Sequence, residues 1–350
     1  MRVLINKKGE SMELSDRKKK ILAAVVERYI LTGEPVGSKV LCGNLEVSSA
    51  TVRNEMSDLS EIGYLEQPHT SAGRIPSQRG LRYYIDNLMA RYEISDADRF
   101  VIENRLAADS AEPQEILANA AKLLSELTGC ASVASTPYDA NAHIKRVELV
   151  PISARTVLVV LIVSTGVVKS RICRCESDID ITSAELFYNI AAAHFAAHRS
   201  EELTIAKIQT LAASLGDKAF VMAPLLFTLY ELAHEAARCS IITEGQSRLL
   251  NFKELETDVY NIFECFKSPA ELAHILNSGS DDFTISIGRE SRNRVFERTS
   301  IISSKYAVSG KNVGAMGIIG PLRMDYARFV PNIIFISETV GKILSETIDE

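Results

Sequence analysis

The chain has 350 residues, of which 46% are hydrophobic and 24% charged, and its formal net charge is −6 at pH 7. The length predicts more than one domain, and the composition is typical of a soluble globular protein and excludes a low-complexity chain. No apolar run approaches the roughly 18–20 residues that span a bilayer. The N-terminal "MRVLINKKGES" has three consecutive apolar residues, too few for a secretory signal core, so we expect a cytoplasmic protein without a membrane partner.

The small net charge conceals an asymmetry along the chain. Residues 1–92 contain 14 Lys and Arg against 11 Asp and Glu, whereas the remainder contains 25 against 34. A basic N-terminal part on an acidic remainder suggests a nucleic-acid contact confined to the N-terminal part. Because the excess of basic residues is small, the motifs in that part must show whether it binds nucleic acid.

Residues 16–62 predict three helices. Ser15 is a suitable N-cap for the first, and Gly33 ends it. A short second helix is expected over residues 38–42. Ser48 or Ser49 can cap the third helix, which Gly63 stops. Apolar residues at helical spacing form the expected buried stripe of that third helix: Val52, Met56, Leu59 and Ile62.

A stiff polar loop follows the third helix. "YLEQP" and the residues around Ile75 predict two short strands, and Pro68, Gly73 and Pro76 lie in the loop that joins them. "SQRGLRYYIDNLM" predicts a further helix. This order is that of a winged helix-turn-helix, whose third helix enters the major groove while the loop, as a wing, lies along the backbone or in the minor groove.

Several polar side chains of this block suit DNA. Arg53 can form a two-pronged hydrogen bond with guanine and Asn54 with adenine. Arg74 and Arg79 can neutralise phosphates, and His69 can bond a phosphate or the backbone of the wing. Taken singly, such residues more often belong to a solvated helix face or a surface loop. The capped helix, flap and basic flank together favour DNA contact.

Strand signals dominate two later parts of the chain. "CASVAST", "IKRVELVPI", "RTVLVVLIVSTG" and "VVKSRICRC" form the first group, and "FTISIG", "SIISSKYAV" and "AMGIIGP" the second. The residues between the groups are rich in Ala and helical in period, and a helix closes the chain. We therefore expect an α+β fold in which one sheet is interrupted by a helical insertion.

Other chemistry has weaker support. Six scattered cysteines are too sparse for a disulfide scaffold, so we expect reduced thiols. Cys173, Cys175, His194 and His198 could bind zinc, but the two cysteines share one strand face and no second regularly spaced ligand pair follows. No phosphate-cradling glycine pattern or nucleophile elbow occurs. We expect neither a metal, a cofactor nor an enzyme.

The motifs "PVGSKVL", "SSATVRNEMSDLSEIGYLEQPHTSAGRIPSQRGLRYYID" and "GPLRMDY" resemble the HrcA family of heat-inducible transcription repressors. The resemblance runs over nearly the whole chain. It implies a multidomain α+β protein with a winged-helix domain (12–90), a GAF-like domain (91–176 and 251–350) and an inserted, mainly helical dimerisation domain (177–250). The implied DNA-facing residues are Ser49, Thr51, Arg53, Asn54, His69, Thr70, Ser71, Arg74 and Arg79.

The same resemblance implies a function and its partners. The expected protein is a homodimer that binds an inverted-repeat operator of the CIRCE type ahead of chaperone operons and is kept active by the chaperonin GroEL. A two-fold operator requires two heads related by a two-fold axis, in agreement with a dimer. The alternative is a winged-helix regulator that senses a small molecule in a GAF-like pocket.

Overall fold

Capping chemistry sets the ends of the N-terminal helices. The hydroxyl oxygen of Ser48 accepts a hydrogen bond from the Thr51 amide, and Gly33 ends the first helix in the left-handed conformation with φ of 70°. The predicted helices and flap strands are therefore present, and Ser48 is the cap of the third helix. The elements are α1 (Asp16–Thr32), α2 (Ser38–Leu45), α3 (Ser49–Glu61), β1 (Leu65–Glu66), β2 (Ile75–Pro76) and α4 (Gln78–Asn87).

These elements enclose one apolar cluster, and we call residues 14–90 the head. Ile21 and Leu22 of α1, Leu59 of α3 and Leu81 of α4 are fully buried in it. The computed structural model describes residues 14–45, 47–69, 72–90, 92–107, 112–138, 142–196, 198–199, 203–277, 279 and 281–349.

A five-stranded antiparallel sheet forms the centre of what we call the body, residues 92–138 and 239–349. Its strand order is β7-β3-β10-β9-β8, and helices cover both faces. Side chains alternate between the faces, as Met316 packs towards α6 and α12 whereas Ala315 packs towards α10 and α11. The elements are α5 (Asp96–Leu106), α6 (Pro113–Thr128), β3 (Ala131–Ser135), β7 (Ile241–Glu244), α10 (Val259–Phe266), α11 (Pro269–Leu276), β8 (Phe283–Ile287), β9 (Thr299–Val308), β10 (Lys311–Pro321) and α12 (Tyr326–Asp349).

A second sheet belongs to what we call the insertion, residues 144–236. Three antiparallel strands in the order β4-β5-β6 bury one face against three helices. In β5 every second residue from Val157 to Val163 is buried, the pattern of a half-buried strand. The elements are β4 (Ile144–Ser153), β5 (Thr156–Val163), β6 (Val168–Arg174), α7 (Ile181–His194), α8 (Ile205–Ser214) and α9 (Ala219–Ala236).

The fold confirms the α+β class but corrects the expectation of a single interrupted sheet. Strands 144–174 pair with one another and pack on α7–α9, whereas β7, which the sequence analysis missed, pairs with β3. Periodicity shows that a strand is half buried but does not identify its neighbour. The domain limits 12–90, 91–176 with 251–350, and 177–250 stay predictions, and the packing favours an insertion that begins near residue 144.

Candidate nucleic-acid interface

Hydroxyl groups hold the first turn of α3 in place. Besides capping the Thr51 amide at 3.1 Å, the Ser48 hydroxyl lies 2.9 Å from the Thr51 hydroxyl. The Ser49 hydroxyl lies 3.2 Å from that of Ser38 at the start of α2. Ser49 therefore joins α3 to α2, while Thr51 and Ser48 order the first turn of α3, the turn that approaches the bases in a helix-turn-helix.

The exposed face of α3 carries two of the predicted base-reading side chains. Arg53 and Asn54 are exposed, whereas Val52, Met56 and Leu59 of the same helix are buried in the head. This segregation follows from the helical period, because a stripe spaced three and four residues apart occupies one side only. The guanidinium and carboxamide groups are thus presented to solvent on a rigid helix.

The wing is pinned to the connection between α1 and α2. Arg74 and Val36 exchange two backbone hydrogen bonds of 2.8 and 2.9 Å. A Cβ atom on Gly73 would lie 2.4 Å from the Val36 carbonyl oxygen, so the close crossing requires glycine. His69 is exposed on the loop beyond this crossing, and Thr70 and Ser71 lie outside the described residues.

The two predicted phosphate-binding arginines are held by the head itself. Nε of Arg74 donates to the Ser60 hydroxyl at 2.9 Å. The Arg79 guanidinium lies 4.7 Å from the centre of the Tyr64 ring and donates to the Ile62 carbonyl at 3.0 Å. Both side chains therefore carry a structural role that the sequence analysis did not predict, and each guanidinium has further donors beyond those bonds.

A polar cleft of about 420 Å³ separates α3 from the wing. Arg53 and Arg74 line it, together with Ser38 at the start of α2 and Gln67 from the wing. Sequence reasoning missed Ser38 and Gln67 as members of this surface. Ser38 could have been found from the motif "PVGSKVL", because it is a serine at the start of α2, the helix directly before the capped helix α3.

The basic run "RKKK" at the start of α1 connects α1 to α3. Nζ of Lys18 lies 2.9 Å from the Asp58 carboxylate and 3.7 Å from that of Glu55, which also pairs with Arg17. The hydrogen bond to Asp58 raises the pKa of Lys18. These charges stabilise the head by linking two of its helices.

The alternative zinc ligands do not converge among the described residues, where no group of three or more His, Cys, Asp or Glu side chains could hold a metal ion. Cys173 and Cys175 are buried, and the Cys175 thiol donates to the Val221 carbonyl of α9. Nδ1 of His198 lies 3.1 Å from the Ala196 carbonyl oxygen. Within the described ranges, no helix is both long and apolar enough to cross a membrane.

Sequence comparisons relate the chain to known proteins. The family model described as "HrcA protein C terminal domain" matches residues 114–330. The chain is 34% identical to the heat-inducible transcription repressor HrcA of Thermoanaerobacter pseudethanolicus, over 95% of this chain and 98% of that protein. It is 33% identical to the protein of the same name in Clostridium acetobutylicum, over 96% of this chain and 99% of the relative.

A solved structure has the same fold over nearly the whole chain. The crystal structure of a hypothetical protein superposes with a TM-score of 0.72 and 27% identity, and the match covers 96% of this chain and 100% of that one. The family model and these relatives define a transcription repressor and not an enzyme. The chain belongs to the HrcA family, as its motifs predicted.

Proposed function

We propose that the chain represses transcription by binding double-stranded operator DNA through a winged helix formed by residues 12–90. The exposed pair Arg53 and Asn54 beside the pinned wing supports this proposal most strongly. A rigid helix that presents bidentate side chains can read base edges in the major groove. The wing lies next to it, where it can contact the phosphate backbone.

Each predicted site residue then has a part in binding. Arg53 reads guanine and Asn54 reads adenine. Ser49 holds the first turn of α3 against α2, and Thr51 orders that turn through Ser48, so that both lie close to the DNA backbone. The wing and its flank supply the phosphate contacts: His69, Thr70, Ser71, Arg74 and Arg79. Because Arg74 and Arg79 are already immobilised by Ser60 and Tyr64, little side-chain entropy is lost when they meet a phosphate.

A homodimer that binds an inverted repeat of the CIRCE type is part of the same proposal. Two heads related by a two-fold axis meet the two half-sites of such an operator. The insertion exposes large aliphatic side chains, among them Val150, Ile172 and Ile181, and such side chains support self-association through this unit. Light scattering should therefore give twice the chain mass.

Coupling to the chaperonin GroEL in the cytoplasm completes the proposed mechanism. Folded proteins are stable by only about 5–15 kcal/mol, so heat or loss of a chaperone can empty the operator without a ligand. Chaperonin added to the purified protein should raise the fraction that binds operator. Unfolded client protein added in excess should lower it again.

A salt titration with matched duplexes tests DNA recognition. The protein should prefer an inverted-repeat duplex over a scrambled one by roughly a thousandfold, with steep salt dependence. Arg53→Ala should reduce that preference by about 1–3 kcal/mol. The control is Arg155→Ala, which removes an exposed arginine of the insertion. Equal preference in wild type and Arg53→Ala would contradict the assignment.

A ligand-sensing regulator is the second candidate. A cleft of about 590 Å³ lies where α4 meets β8 and is lined by Arg82, Asp86 and Asp281 together with apolar side chains. Metabolites that bind this cleft or a GAF-like pocket should raise the melting temperature of the protein and change its operator affinity. A panel in which no compound raises the melting temperature would exclude this candidate.

A further inference from the structure

The head is docked on the body through a charged contact of α4. Nε of Arg82 donates to one carboxylate oxygen of Glu290 at 3.0 Å, and Nη2 donates to the other. Nη2 also donates to the Ile285 carbonyl, at 2.7 Å. Burial disfavours the charge on Arg82, but the hydrogen bonds and charges of Glu290 and of Asp86, one turn later in α4, together outweigh burial and raise the pKa of Arg82. The pair thus joins α4 to the turn that follows β8.

A neutral contact one turn earlier in α4 reinforces the pair. Nε2 of the Gln78 side chain donates to the Glu297 carbonyl at 3.0 Å, and its Oε1 accepts from the Arg289 amide at 3.2 Å. Gly288 has φ of 53°, and a Cβ atom there would lie 2.2 Å from Gln78. The turn after β8 therefore packs directly against α4, and a glycine at position 288 permits this close approach.

Apolar packing also attaches the end of β8 to the head. Ile287 is fully buried in the apolar cluster of the head although it ends a strand of the body sheet. The Glu290 carboxylate also accepts from the Ile287 amide at 2.9 Å, so one side chain orders the turn and binds Arg82. The contact combines a buried apolar anchor with directional hydrogen bonds, as a fixed orientation requires.

We infer that Arg82 and Glu290 fix the angle of the head on the body and thereby set the half-site spacing that the dimer accepts. This inference rests on the proposed function. Once one head is bound to its half-site, the second head has an effective concentration at the other half-site. That concentration depends on how firmly the second head is held in the position that matches this half-site. Loosening the contact lowers that concentration but leaves the chemistry of each head unchanged. Arg82 is thus a positioning residue that does not touch the bases.

The test compares one half-site with the full inverted repeat. Arg82→Gln and Glu290→Gln should bind a single half-site duplex as the unchanged protein does and bind the full repeat at least roughly tenfold more weakly. Their affinity should also depend less on base pairs inserted between the half-sites. Arg105→Gln, which breaks the 2.6 Å pair with Glu126 inside the body, is the matched control.

Three outcomes would overturn the inference. The single variants could bind the full repeat as tightly as wild type with the same spacing dependence. Half-site binding could fall as much as full-repeat binding, which would assign Arg82 to the integrity of the head. The Arg105→Gln control could show the same loss as Arg82→Gln. If the unchanged protein does not prefer the inverted repeat, the proposed function itself fails, a result distinct from these three.

Discussion

Gly73 shows how a single missing side chain positions the wing. Its Cα lies so close to the Val36–Gly37 peptide that a Cβ atom would meet three backbone atoms at less than 3.0 Å. Backbone atoms cannot rotate away as the end of a side chain can, so the crossing excludes any other residue. The position of His69 and of Arg74 relative to α3 thus depends on the lack of a Cβ atom at residue 73.

We expect Gly73→Ala to destabilise the protein by about 1–3 kcal/mol, the usual cost of overpacking, and to weaken operator binding. The control is Gly43→Ala, since a Cβ atom on Gly43 meets nothing within 4 Å in an exposed turn of α2. Gly43→Ala should instead stabilise by about 0.5–1 kcal/mol, because alanine favours helix. Urea unfolding of both variants measures the difference; equal stability would contradict the close crossing.

Helix α4 depends on a capping residue that also closes the wing. The Ser77 hydroxyl accepts from the Gly80 amide at 3.0 Å and donates to the Gly63 carbonyl at 2.7 Å, and the residue is 6% exposed. One side chain therefore satisfies a donor at the start of α4 and an acceptor at the end of α3. The same helix carries Gln78 and Arg82 to the body.

Ser77→Ala should lower the free energy of unfolding by about 1–2 kcal/mol, because it removes a cap and takes the hydroxyl partner from the partly buried Gly63 carbonyl. Ser95→Ala removes the exposed cap of α5, whose hydroxyl accepts from the Asp98 amide at 3.1 Å, and should cost about 0.5–1 kcal/mol. Guanidinium unfolding monitored by circular dichroism compares the two. A smaller effect at Ser77 than at Ser95 would be inconsistent with the double role.

At the scale of the whole molecule, two sheets with separate cores divide the chain. The apolar cluster of the insertion contains residues of β4–β6 and α7–α9, whereas the body sheet is covered by α6 and α12 on one face and by α10 and α11 on the other. A unit with its own core can open as a cooperative unit. The insertion should therefore lose structure without the head following it.

Phe187→Ala tests this division, because Phe187 is fully buried in the cluster of the insertion. The substitution should cost about 3–5 kcal/mol of local stability. Hydrogen exchange followed by mass spectrometry should show lost protection over residues 144–174 together with 181–236, while 16–87 and 299–321 keep theirs. Protection at 144–174 that instead follows the body strands would support the predicted border at 177.

Much of the head could be predicted from sequence, because its signals are local. A serine before a helix, a glycine after it and a stripe at helical spacing act within a few residues, so Ser48, Gly33 and Val52 could each be interpreted alone. The exposure of Arg53 and Asn54 on α3 follows from the same helical period. The internal bonds of Arg74 and Arg79 could not be foreseen, because their partners come from other elements of the head.

The sequence by itself determined the α+β class, the order of elements in the head, the exposed pair on α3 and the family to which the chain belongs. Only the tertiary structure decided that β4–β6 form a sheet of their own, that β7 pairs with β3, and that Arg82 of the head meets Glu290 of the body. Helix caps and periodicity act over a few residues, whereas strand pairing and docking join residues far apart in the chain. Such contacts depend on the shape and burial of the packed elements, which a local sequence pattern does not predict.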